Sequence, residues 1–160
     1  CSWLLHEAAL VLGDAGVLAQ VEPIVQRVAE ASVKGINADG SMTHEANLDT
    51  GYVDADRHWW VQAEAVVGFL NIYQHFHTDA ALERALRCWE YIKAHLIDRE
   101  LGEWFWSCDA EGRVNRCEDH AGFWKCPYHN SRMCLEVIER FAKRAQKPNR
   151  RQTESNIKLA

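Results

Sequence analysis

The run Gly122-Phe123-Trp124-Lys125-Cys126-Pro127-Tyr128-His129-Asn130-Ser131-Arg132-Met133 gathers imidazole, indole, phenol, amide, ammonium and guanidinium groups into one short stretch. Proline disfavours the α conformation in the residue before it, so no helix runs through Cys126-Pro127 from upstream. Asn130 or Ser131 can cap a helix that follows, which places His129 at or just ahead of its first turn. There the macrodipole disfavours an imidazolium, and a neutral ring can take a proton near pH 7. His129 is therefore the candidate acid–base catalyst. A structural hydrogen-bonding role is the plainer alternative. Trp124, Lys125, Tyr128, Asn130 and Arg132 argue against it, because burying so many polar groups without a polar cleft to receive them is costly.

Two other chemistries compete for the same residues. Cys117, His120, Cys126 and His129 make a zinc-compatible donor set, although the spacing is not a common finger pattern and Pro127 is wedged between ligands. Glu64 could act as the acid of a glycoside hydrolase paired with Asp56 or Glu103, with a separation that the sequence leaves open. Glu64 follows Trp60 by one helical turn, so the two share a face. If Glu64 is buried beside that indole, it needs a partner such as Lys125 or Arg132. Trp59 and Trp60 cannot both face one core, which frees Trp60 to form a platform in a cleft or to fill a neighbouring seam.

The elements that must position these groups are helical. Residues 2–12 read as helix interior from the first residue, with a broad apolar stripe that Gly13 ends. The pattern predicts a second helix over Val21–Val33 with Pro23 in its first turn, then a polar loop or small hairpin over 41–55. A third helix runs from near Asp56 to Phe76, with Trp59, Ala63, Val66 and Leu70 as a buried row and Asp56, Trp60 and Glu64 alongside it. A fourth runs from Ala80 to Ile97. Residues 102–114 suggest an aromatic β-hairpin. A fifth helix, about Ser131 to Ala145, is expected to bury Cys134, Leu135, Val137, Ile138 and Phe141 and to expose the Arg132–Glu136–Arg140 pairs. Residues 147–160 are polar, aperiodic and expected to be a disordered tail, leaving residues 1–146 as the domain. Helices in antiparallel pairs, with loops and short hairpins between pairs, fit an all-α toroid or part of one; a compact helical bundle is second.

Composition narrows the partners. A net charge of −5 without a basic stripe gives no nucleic-acid signature. There is no long apolar run to cross a membrane. Seven tryptophans in 160 residues is a high number, and flat indoles suit the apolar face of a sugar ring. Six cysteines without a secretory signal read as free thiols in a reducing cytoplasmic compartment.

Three runs together carry a resemblance: Trp59-Trp60-Val61-Gln62-Ala63-Glu64-Ala65, Gly102-Glu103-Trp104-Phe105, and Trp124-Lys125-Cys126-Pro127-Tyr128-His129-Asn130 with its continuation Ser131-Arg132-Met133-Cys134. They resemble the C-terminal part of the N-acylglucosamine 2-epimerase superfamily, most of all its cellobiose 2-epimerases. The resemblance implies an (α/α)6 barrel, of which this chain would hold the last five or so helices. It implies a sugar epimerase or a related aldose–ketose isomerase that needs no cofactor and no metal. A pair of histidines would move the C2 proton of a ring-opened disaccharide or hexosamine through an enediolate. His129 matches one of that pair, while Trp60, Glu64 and Trp124 match residues at the sugar. The family's other histidine lies in a His-Asp-x-Glu-Ala run before a Ser-Trp-Leu-Leu-like helix. Here Ser2-Trp3-Leu4-Leu5 is present, but the chain begins at Cys1, and His6 is on the wrong side of Trp3 to substitute. The 160-residue chain alone is therefore expected to be nearly inactive, with an apolar seam that favours self-association.

Overall fold

The computed structural model describes residues 2–145. Five α-helices dominate: α1 (Ser2–Leu12), α2 (Ala15–Ser32), α3 (Trp59–Phe76), α4 (Asp79–Tyr91) and α5 (Tyr128–Ala145). Four two-residue strands lie in the loops: β1 (Glu45–Ala46), β2 (Val53–Asp54), β3 (Arg57–His58) and β4 (Ser107–Cys108). β1 pairs antiparallel with β2, and β3 with β4, the latter in the register Arg57↔Cys108 and His58↔Ser107. Expectations for residues 147–160 lie outside the described residues.

Gly13, at φ 72°, ends α1 in a conformation that costs glycine little. The next residue starts α2 at once: Asp14 Oδ1 accepts the N–H groups of Gly16 and Val17 at 2.8 and 3.0 Å. That cap moves the start of α2 six residues ahead of the expected Val21. Pro23 therefore lies inside the helix rather than in its first turn, where it offers no N–H to the Ala19 carbonyl. α3 and α4 form a second helical hairpin, turned at His77, whose left-handed φ of 55° lets its N–H reach the Tyr73 carbonyl. α4 gives way to a π-helical turn over Ile92–Leu96, close to the expected end at Ile97.

α3 is the axis of the molecule, packed against each of the other four helices. Its expected row is buried: Trp59, Ala63, Val66 and Leu70 are each at most 4 % exposed. They pack with Trp3, Val25, Ala85, Ile92, Leu96, Trp104 and Met133 in one continuous core. Gln62, fully buried, clamps the preceding loop: its side chain accepts the Met42 N–H at 2.7 Å and donates to the Met42 carbonyl at 2.8 Å. The start of α3 is tied to the aromatic segment by the Trp59 N–H, which donates to the Trp106 carbonyl. Asp56 stands before the helix instead of on its face, and accepts from the Ser107 hydroxyl.

α5 differs most from expectation. It begins at Tyr128, three residues early, so neither Asn130 nor Ser131 is its cap. Its inward face carries Met133, 3 % exposed, and the half-buried Val137. Cys134, Leu135, Ile138 and Phe141 stay exposed, Leu135 at 67 % and Ile138 at 66 %. The pairs expected on the surface are turned inward instead. Arg132 reaches Glu64 on α3, and Arg140 reaches Glu7 on α1 and Gln74 on α3 as well as Glu136. No helix among the described residues is long and apolar enough to cross a membrane.

Candidate active site

Helix α3 delivers Trp60 and Glu64 one turn apart, and the first turn of α5 delivers His129 against them. His129 Nδ1 lies 2.9 Å from Glu64 Oε1. The rings of Trp60 and His129 stand 5.9 Å apart. Glu64 also accepts the Trp3 indole N–H at 2.8 Å on its other oxygen and a hydrogen bond from the Arg132 guanidinium. Arg132 itself lies over the Tyr128 and Trp3 rings, at 4.3 and 5.0 Å. Three helices, α1, α3 and α5, thus converge on one carboxylate.

The charge state of Glu64 follows from these contacts. Burial pushes its carboxyl up, but the hydrogen bonds from His129, Arg132 and Trp3, aided by the Arg132 charge, outweigh burial and hold it below the ordinary glutamate range. An ionised carboxylate only accepts, so the proton of a neutral His129 ring belongs on Nδ1. That assignment leaves Nε2 with a free lone pair, and it has no hydrogen-bond partner among the described residues. The side chain is 30 % exposed, open to solvent on that side. Such a pair can act as an oriented base, the carboxylate fixing the tautomer and the ring and the second nitrogen open to proton transfer.

A carboxyl held ionised cannot serve as the acid of a glycoside hydrolase, and Asp56, one of its possible partners, is bonded to Ser107. The four-residue zinc set is not assembled either. His120 Nε2 is 3.0 Å from Asp98, His129 faces Glu64, and Cys117 and Cys126 are exposed.

The pH dependence carries a definite sign. A carboxyl depressed in the folded state stabilises the fold above its ordinary pKa of about 4.3, and that contribution is lost as pH falls through the lower folded value. Glu64→Gln is expected to cost about 2 kcal/mol at pH 7. Urea unfolding at pH 7 and pH 3 measures it, and the gap between variant and parent should narrow at the lower pH.

The other predicted residues fall around this centre. Lys125, offered as a partner for Glu64, goes elsewhere. It is 1 % exposed and donates to the carbonyls of Trp104 at 2.5 Å and His120 at 2.7 Å, with Glu103 3.5 Å away. Glu103 in turn accepts from the Asn130 side chain at 2.5 Å, next in sequence to His129. Trp124 does not line His129 here: it is 81 % exposed, and its ring meets Phe123. Trp60 and Glu64 line a recess of about 150 Å³ together with Trp3 and Met42. Sequence reasoning missed Trp3; it set Arg132 in exposed helix pairs but also offered it, with Lys125, as a partner for a buried Glu64, and the structure makes the Arg132 pairing.

Comparison with known proteins finds relatives along most of the chain. A family model described as N-acylglucosamine 2-epimerase (GlcNAc 2-epimerase) matches residues 2–131. The cellobiose 2-epimerase of Bacteroides fragilis is 57 % identical over 137 residues, covering 86 % of this chain and 35 % of that protein. A crystal structure of a sugar epimerase from a ruminal bacterium superposes with a TM-score of 0.82 at 38 % identity, over 87 % of this chain and 36 % of the other. The cellobiose 2-epimerase of Bacillus thermoamylovorans gives a TM-score of 0.77 at 43 % identity, over 87 % and 35 %. The chain thus spans about a third of the length of these relatives. Its paired helices are part of an (α/α)6 barrel, and the chain belongs to the N-acylglucosamine 2-epimerase family.

Proposed function

We propose that this chain carries one half of the proton-transfer machinery of a sugar 2-epimerase. The supporting observation is the Glu64–His129 pair, in which an ionised carboxylate holds the imidazole as the Nδ1–H tautomer and leaves Nε2 to act on the substrate. The substrate is a ring-opened reducing-end sugar, a disaccharide or a hexosamine. Its C2–H is acidified by the C1 carbonyl. Nε2 of His129 removes or returns that proton, and electron density passes through an enediolate. Inversion requires delivery from the opposite face, so a second acid–base group must stand across the sugar from His129. The family's histidine in its His-Asp-x-Glu-Ala run suits that role. Trp60 borders the sugar, and Trp124, five residues before His129, closes on it from the exposed loop.

We propose that exposed apolar side chains on α1 and α5, among them Val11 at 81 %, Leu12 at 64 % and Ile138 at 66 %, favour self-association. The function is tested by grafting residues 2–131 into the Bacteroides fragilis relative in place of the matching segment. The graft is incubated with cellobiose in heavy water. Deuterium at C2 of the reducing-end sugar, with the glycosidic bond intact, is the expected result; bond cleavage without C2 exchange would refute it.

A further inference from the structure

The hairpin ahead of α3 gathers three donors that the Glu64–His129 site does not use. His44 stands just before β1, Asp54 lies in β2 and His58 in β3. One ligand atom from each lies within 4.8 Å of the other two, and among the described residues no other three donors are so grouped. Asp54 Oδ2 is 2.7 Å from His44 Nδ1 and 4.0 Å from His58 Nε2. Around an ion with bonds of about 2.0–2.2 Å, tetrahedral ligand atoms stand roughly 3.4 Å apart, and the two observed separations bracket that spacing.

The backbone holds these residues in place. The β1–β2 register sets Glu45 opposite Asp54, which keeps His44 beside the carboxylate, and the β3–β4 pairing fixes His58 opposite Ser107. Asp54 Oδ1 accepts the Asp56 N–H at 3.1 Å, leaving Oδ2 for the two rings. The neighbouring cation, Arg57, is committed to the Ser41 hydroxyl and the Ala55 carbonyl. The imidazoles stack at 3.9 Å with planes 20° apart, so charging both is unfavourable. Two imidazoles and a carboxylate are ligands of the zinc class.

We propose that His44, Asp54 and His58 bind a divalent transition-metal ion of the zinc class, which fastens the 44–54 hairpin to the start of α3 beside Trp60. Because the rings lie nearly parallel, their lone pairs converge only after His44 turns out of the stack. Its side chain is 21 % exposed. Coordination through His44 Nδ1 displaces the proton from that nitrogen and leaves the bound ring as the Nε2–H tautomer. Three protein ligands leave a fourth position for water. The site is independent of the epimerase reading, and its test needs no turnover.

The 160-residue chain, with Cys1, Cys117, Cys126 and Cys134 replaced by serine to remove competing thiols, is titrated with Co2+ and with Zn2+. The expected result is one ion per chain, four-coordinate Co2+ absorption, and a Tm that rises with Zn2+. Asp54→Asn and His58→Ala should each weaken binding at least 10-fold and abolish the Tm rise. His44→Ala, at the hairpin flank, gives the same reading if His58→Ala fails to fold. Absence of stoichiometric binding, or affinity unchanged in these variants, would overturn the site.

Discussion

In the graft described above, His129→Asn is expected to lower C2 proton exchange roughly 100- to 10,000-fold, the usual contribution of a positioned acid–base group. Asparagine keeps a hydrogen bond to Glu64 within reach but has no titrating nitrogen, so the loss reads the proton transfer rather than the packing. Thermal unfolding should move little, because the side chain is 30 % exposed and its one direct bond is the 2.9 Å contact to Glu64. Heavy-water exchange followed by NMR measures the rate. A loss in KM alone with kcat retained would make His129 a binding residue.

Lys125→Met is expected to have the largest effect on stability, about 3 kcal/mol. The ammonium is buried under the aromatic segment, satisfies two backbone carbonyls and faces Glu103. Burial pushes the Lys125 amine below its ordinary range and the Glu103 charge resists that, which is the signature of a cation held inside by its partners. Removing it leaves the Trp104 and His120 carbonyls without a donor and Glu103 without a cation. Glu103 also holds Asn130, so the damage reaches the turn that aims His129. Denaturant unfolding of Lys125→Met, Glu103→Gln and the double variant measures the coupling. The double variant should lose clearly less than the sum of the singles; strict additivity would show that the pair is not coupled.

Much of the scaffold is legible in the sequence because periodicity reports burial. The Trp59–Ala63–Val66–Leu70 row, the stop at Gly13 and the turn-rich 41–55 segment all come from spacing and turn chemistry. The requirement that a buried Glu64 find a partner offered Lys125 or Arg132, and the structure uses Arg132. What the sequence hid were choices between equivalent local signals. Asp14 is a good cap, but Pro23 suggested a later start, and a proline tolerated inside the helix resolves the conflict. On α5 the apolar set 134, 135, 138 and 141 looked like a core face. Packing on α3 instead uses 129, 133, 137 and 140, because Glu64 and Asn71 supply partners for His129 and Arg140 there. Trp3 lies 61 residues from Glu64 in sequence, and no local pattern reports such a contact.

Nitrogen-15 NMR of labelled His129 tests the protonation pattern of the Glu64–His129 pair on the chain itself. The neutral ring is expected to carry its proton on Nδ1 and leave Nε2 bare, with that preference weakened in Glu64→Gln. A ring carrying its proton on Nε2, or a pattern indifferent to Glu64, would contradict it.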